Sequence, residues 1–186
     1  MKCSKQGQGS RRRGFTLIEL MVTVVILAVL ATVAMLSYQV YIRRARTAEA
    51  SGLLANIGSA QEAYLAEFGQ FCNVNLSQPA GDPDRDGLDW DPATVPAVWK
   101  QLGFVPDARR VSFAFNTQAG PPGGFANVAD LGLTAAEYDG SNAWYVAWAI
   151  GDQDEDGAGL GIANPNNSVF WITHETTSVS SLRETE

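Results

Sequence analysis

An uninterrupted apolar run near the N-terminus constrains this chain more than any other feature. From Leu20 to Ile42 there are 23 residues without a formal charge, and none of them is Pro or Gly. A helix of that length rises about 34 Å, which is enough to cross a hydrocarbon core about 30 Å thick. The run is too long and too uniformly apolar for an ordinary buried helix. The sequence therefore predicts a membrane-spanning helix.

The residues on either side of this run indicate its orientation. Arg11, Arg12 and Arg13 precede it, and by the positive-inside tendency they place the N-terminus in the cytoplasm and the rest of the chain outside. A secretory signal peptide is the alternative, but such a peptide has a short apolar core followed by a small-residue cleavage site. Here the run is about twice that length, and a helical pattern continues past Ile42, so cleavage behind it is not expected.

One acid, Glu19, directly precedes the apolar run. Because ionised carboxylates are costly in hydrocarbon, an acid here marks a functional position, although a side chain reaching the headgroups is the simpler alternative. The surrounding decapeptide RRRGFTLIEL, at 11–20, resembles the processing motif of type IV pilins and type II secretion pseudopilins. The resemblance is specific because five features occur in the order and spacing of that motif: a basic leader, Gly14, Phe15, the acid and the long apolar helix.

This resemblance implies a specific processing and assembly route. In that family a membrane peptidase, prepilin peptidase, cuts after the glycine, here Gly14, and N-methylates the new first residue, here Phe15. A glycine has no side chain, so an enzyme can approach its backbone closely. The new amine at Phe15 would then pair with Glu19 of a neighbouring subunit, and two charges that are each costly in lipid would compensate one another.

The apolar run and the motif before it divide the chain into three predicted parts. They are a cleaved basic leader at 1–14, a transmembrane and filament-core helix at 15–42, and a soluble head at 43–186. Apolar residues recur at helical spacing as far as Phe68, so the long helix is expected to continue into the head and to stop at Gly69.

The head is predicted to be α+β. A short helix is expected at Ala97–Leu102, and alternating or β-branched and aromatic segments predict strands at 110–116, 143–150 and 168–173. One long helix followed by an antiparallel set of strands is an α+β arrangement, and the pilin head to which the resemblance points has the same order.

Two acidic segments have the spacing of cation ligands. Both fit D-x-D-x-D-G, the first half of a calcium loop, in which alternate carboxylates converge on one ion. The ligands would be Asp82, Asp84, Asp86 and Asp89 in the first loop and Asp152, Asp154 and Asp156 in the second. Neither loop has the Glu that an EF-hand places at the twelfth position. Calcium and a solvated, metal-free turn both remain open for each loop.

Residue counts limit the other function classes. The leader holds five of the 13 basic residues, so without it the chain has eight basic and 20 acidic residues. Such an acidic chain offers a poor surface for nucleic acid. Cys72 would then be the only cysteine and is expected to be a buried apolar side chain. His174 is the only histidine and no nucleophile motif accompanies it, so no catalytic activity is expected. Trp99, Trp144, Trp148 and Trp171 are expected in the core, with an exposed sugar-binding surface as the alternative.

Three functions fit these expectations. The first is a type IV pilus subunit for motility, adhesion or uptake, lifted by an ATP-driven platform from the inner membrane of a diderm cell into an extracellular filament. The second is a type II secretion pseudopilin in a periplasmic pseudopilus. The third is a membrane anchor that presents a calcium-dependent binding head without polymerising. The expected partners are the lipid bilayer, the peptidase, the inner-membrane platform, and copies of the chain or other pilins.

Overall fold

Two helices and six strands form over the part of the chain that the structure describes. The structure, a computed structural model, describes residues 14–81, 86–124, 131, 133, 140–152, 161–165, 167–176 and 178–183. In chain order the elements are α1 (Leu17–Phe68), β1 (Leu88–Asp89), α2 (Ala97–Leu102), β2 (Arg110–Val111), β3 (Ala114–Gly120), β4 (Trp144–Gly151), β5 (Ser168–Thr173) and β6 (Ser180–Arg183). One long helix followed by antiparallel strands confirms the predicted α+β class. By its contacts the chain divides into two compact units between Tyr41 and Ile42.

The end of α1 is fixed by a glycine. Gly69 has a φ of +71°, and its amide donates to the carbonyl of Leu65 at 2.8 Å. Glycine adopts this left-handed conformation without the steric cost that a Cβ would add, and it is the usual residue just past a helix end. The predicted stop at Gly69 is therefore confirmed.

Four strands form one antiparallel sheet in the order β3-β4-β5-β6, so each strand lies beside its neighbour in sequence. β1 and β2 form a separate two-stranded sheet. β4 and β5 lie within one residue of the strands predicted at 143–150 and 168–173. α2 has the predicted bounds of Ala97–Leu102.

The strand predicted at 110–116 is wrong in its bounds. Residues 110–111 pair with β1, and the sheet strand β3 begins at Ala114 and continues to Gly120. The polar second half of β3 is held by a segment that sequence periodicity does not reveal. Asn75 donates its amide to the Thr117 carbonyl at 2.8 Å, and the Asn73 side chain accepts from the Ala119 amide at 3.3 Å. These bonds satisfy backbone groups that an edge strand would otherwise leave open.

The two faces of the main sheet bury different partners. Successive side chains on a strand point to opposite faces. On β4, Tyr145, Ala147 and Ala149 join the core formed with the head half of α1. The second cluster on the other face contains Leu131, Trp144, Val146, Trp148, Ile150, Val169 and Trp171. Trp99 is fully buried, and the other three tryptophans predicted to be in the core are at most 6% exposed, so core packing is confirmed over the sugar-binding surface.

A buried amide connects α1 to the chain that follows it. Gln61 has no exposed surface. Its Nε2 donates to the Cys72 carbonyl at 2.8 Å and to the Thr117 Oγ1 at 3.0 Å, and its Oε1 accepts from the Cys72 amide at 2.8 Å. One side chain thus joins the helix, the turn after it and the central part of β3. Buried polar groups require such partners because an unpaired one carries its full desolvation cost.

Candidate functional site

The residues before α1 form the proposed processing site. Gly14, Phe15 and Thr16 are not helical, and the Phe15 side chain is 80% exposed. Among the described residues, no atom beyond the chain neighbours lies within 4 Å of the position that a Cβ would take at Gly14. The bond between Gly14 and Phe15 lies in irregular backbone, with Thr16 between it and the start of the helix at Leu17.

Glu19 closes a capping box at the start of α1. Its Oε2 accepts from the Thr16 amide at 2.9 Å and from the Thr16 Oγ1 at 2.8 Å, while its own amide donates to the Thr16 Oγ1 at 3.3 Å. The first amides of a helix have no partners within it, and a Thr with a Glu three positions later satisfies them reciprocally. The carboxylate is thereby held beside the positive end of the helix and next to the backbone of Phe15.

This capping role is absent from the sequence prediction for Glu19, which treats the acid only as a charge near lipid. The pattern Thr16-Leu-Ile-Glu19 at the start of an apolar run is the signal that could have revealed it. The structure adds that the same carboxylate organises the N-terminus of its own helix.

The first half of α1 presents an apolar surface. Every described side chain from Phe15 to Tyr38 is exposed, including Leu20, Ile26, Leu30 and Met35. Within the described part of the chain, α1 is the one helix that is long and apolar enough to cross a bilayer, judged by length and composition. Water does not favour such a surface, so it requires a lipid or protein environment.

The acidic loops lie partly outside the described residues. This applies to Asp82, Asp84, Asp154 and Asp156. Asp86 is exposed, and Asp152 is buried directly after β4. An Asp89 carboxylate oxygen, Oδ1, lies 3.9 Å from the Arg110 Nε. Among the described residues, no group of three or more His, Cys, Asp or Glu side chains is arranged to hold a metal ion.

The remaining titratable side chains of interest lie in the head. Cys72 is buried as predicted, and burial raises the pKa of its thiol. Burial, and secondarily the negative charge of Glu62, raises the pKa of Tyr145 to about 12. His174 lies with its Nε2 3.4 Å from a carboxylate oxygen of Glu175, and its ring is near Phe71 and Tyr145. The rings of Phe71, Tyr145 and His174 thus pack together next to the end of β5.

Comparisons with known proteins identify the N-terminal segment as a family motif. Residues 9–35 match the family described as "Prokaryotic N-terminal methylation motif", a range that includes the three arginines before Gly14 and the start of α1. No solved structure matches the chain significantly. The family match therefore concerns the segment that contains Gly14, Phe15 and Glu19.

Curated relatives extend the likeness into the head. A fimbrial protein of Neisseria meningitidis is 41% identical over 144 residues, which is 77% of this chain and 77% of that protein. A type IV major pilin protein of Neisseria gonorrhoeae is 39% identical over 75 residues, and there the match spans less than half of the relative, 46%. A type IV major alpha-pilin of Moraxella bovis is 45% identical over 56 residues, which is 30% of this chain and 35% of that protein. Together with the methylation motif, the likeness over three quarters of the chain shows that it belongs to the type IV pilin family.

Proposed function

We propose that this protein is a structural, non-enzymatic subunit of a type IV pilus. The observation that carries the proposal is the first half of α1, an exposed apolar helix whose first turn contains the capping acid Glu19 and which follows a basic segment. A surface of this kind requires a partner, and in a filament the partner is the same helix of neighbouring subunits. The relatives named as pilins and fimbrial proteins support this proposal over a pseudopilin or a non-polymerising anchor.

Processing is proposed to remove residues 1–14. Prepilin peptidase would cut the bond between Gly14 and Phe15 and methylate the new amine of Phe15. The proposal is supported by the irregular backbone at Gly14–Thr16 and by the exposure of Phe15, since a peptidase needs an extended and accessible bond. The product loses five basic residues, so it becomes considerably more acidic than the precursor.

Assembly is proposed to exchange one partner of Glu19 for another. In the single chain the carboxylate accepts two hydrogen bonds from Thr16. After processing, the ammonium of Phe15 in a neighbouring subunit offers an oppositely charged partner, so two charges that are each costly in lipid compensate one another. The capping box orients the carboxylate before that partner arrives, so less ordering remains to be done at the moment of association.

Before assembly, the subunit is proposed to span the inner membrane once, with the N-terminus in the cytoplasm and the head outside. The inner-membrane platform would then transfer it to an extracellular filament. The length of the uncharged run supports the span, because its rise of about 34 Å matches the hydrocarbon core.

The test compares filament yield between two charge-neutralised variants. Glu19→Gln removes the proposed assembly charge, and Glu67→Gln removes an exposed acid from the head half of the same helix. Both variants should accumulate in the membrane, but only Glu19→Gln should lose filaments that shear from the cell surface. Normal filaments from Glu19→Gln would refute the assembly role. Wild-type cells that lack surface filaments but need the chain to release exoproteins would indicate a pseudopilin instead.

Calcium binding by the two acidic loops is a separate proposal. It is supported by the D-x-D-x-D-G spacing and by the buried position of Asp152 at the end of β4, which would fix the first ligand of the second loop. In the first loop Asp89 already has Arg110 as a neighbour, so a cation there would compete with that ion pair.

A further inference from the structure

A pair of arginines directly follows the apolar run of α1. Beyond the leader the chain has eight basic residues, and three of them, Arg43, Arg44 and Arg46, fall within four positions. Arg44 is exposed and Arg43 is half-buried. Arg46 already has an interaction partner within the chain. The ion pairs found among the described residues involve Arg110 and His174 and include neither Arg43 nor Arg44.

Their place in the chain determines which surroundings they meet. Ile42 is the last residue of the uncharged run, so in an inserted subunit the next two residues leave the hydrocarbon and enter the headgroup layer. A guanidinium binds phosphate through two parallel hydrogen bonds and is always charged. Consecutive helical residues project about 100° apart, so the pair can reach phosphates on two sides of the helix.

We propose that Arg43 and Arg44 bind the phosphates of anionic phospholipids at the outer face of the membrane before assembly. This inference rests on the proposed membrane-spanning state. The acidic surface of a second copy is the other occupant of suitable charge. Lipid is favoured because every inserted subunit places these arginines among headgroups, whereas a neighbouring copy is present only after assembly. Leaving the membrane would then require these contacts to break, so anionic lipid would favour the membrane-inserted subunit over the assembled one.

The test measures lipid selectivity of the full chain in phosphatidylcholine vesicles by electron spin resonance. Spin-labelled phosphatidylglycerol and spin-labelled phosphatidylcholine report how strongly each lipid associates with the protein. The variant R43Q/R44Q is compared with the control K100Q/R109Q, which removes the same charge from two exposed positions of the head. All three proteins retain the leader, so its charges contribute equally to each.

The wild type and the control should prefer phosphatidylglycerol, and the preference should weaken with added salt. R43Q/R44Q should lose about fivefold in relative association for each arginine, which corresponds to about 1 kcal/mol per residue. Equal selectivity in R43Q/R44Q and wild type would overturn the inference alone. Loss of copy-to-copy crosslinking in R43Q/R44Q, with lipid selectivity unchanged, would overturn it in favour of a second copy. Extraction of the wild-type chain from vesicles by alkaline carbonate would instead refute the membrane-spanning state on which it rests.

Discussion

Replacing Gln61 by methionine should destabilise the head strongly. The substitution keeps a similar length but removes the amide, and it leaves the amide and carbonyl of Cys72 without their partner inside the protein. Each buried group left unpaired costs about 1–3 kcal/mol. The added apolar burial returns about 1 kcal/mol. For the two groups together, the net expected loss in the free energy of unfolding is about 1–5 kcal/mol, a large part of the 5–15 kcal/mol that is typical of a domain.

The assay is equilibrium urea unfolding of the full chain in detergent, followed by tryptophan fluorescence. All five tryptophans lie in the head, so the signal reports on that unit. The matched control is Gln101→Met, because Gln101 is exposed and its side chain donates to the Tyr64 hydroxyl at 3.1 Å near the surface of the head. The control should change stability by less than about 1 kcal/mol. Equal losses of stability in both variants would show that the buried hydrogen bonds of Gln61 do not stabilise the head more than an exposed one does.

The variant Gln61→Glu adds a pH test of the same contact. A neutral carboxyl can accept from the Cys72 amide and donate to the Cys72 carbonyl, but an ionised one cannot donate. Burial should raise the pKa of that carboxyl above its unfolded value of about 4.3. The variant should therefore approach wild-type stability at low pH and lose stability, relative to wild type, as pH rises from about 4.3 to the folded pKa. A constant difference across that range would contradict this assignment.

Three further predictions use other parts of the molecule. The pKa of Tyr145 is raised to about 12, so as pH rises this phenol ionises in the unfolded chain before it ionises in the folded one. The head should therefore lose stability as pH rises from about 10 to 12. Tyr145→Phe should reduce that alkaline loss in unfolding experiments. Gly58→Leu should cost about 1–3 kcal/mol of stability in the same urea assay, because a Cβ there would lie 3.1 Å from the Tyr145 hydroxyl. Gly52→Leu, on the open side of α1, should be neutral or stabilising. Equal effects of the two substitutions would refute the close approach at Gly58. Isothermal titration of the detergent-solubilised chain should show calcium binding that magnesium does not reproduce, and an absence of heat at millimolar calcium would end the metal proposal.

The elements that sequence alone predicted are those whose signal is local. The apolar run, the helical spacing that continues to Phe68 and the stop at Gly69 together predict all of α1, although the predicted helix begins at Phe15, two residues before the observed start at Leu17. The apolar and aromatic runs of β4 and β5 were recognisable because both faces of these strands are buried. The processing motif was equally readable, since its residues are contiguous.

The features that sequence missed depend on partners distant in the chain. The second half of β3 is polar and contains glycine, so it lacks the apolar pattern of a buried strand. Its hydrogen-bonding groups pair instead with the segment after α1 and with Gln61, which lies 56 positions before Thr117. β1 has two residues, too few for a periodic pattern. Gln61 itself appears as an ordinary polar residue on a helix, and only the packing of the turn at Cys72 against α1 makes its amide essential.

Mass spectrometry of the chain recovered from filaments sheared off the native cell tests processing at Gly14 and assembly through α1 together. We expect one N-terminal peptide that begins at Phe15, carries a methyl group on its amine and retains Glu19. A leader still attached at Gly14, or an N-terminus beyond Ile42, would contradict both the processing and the assembly of this protein through α1.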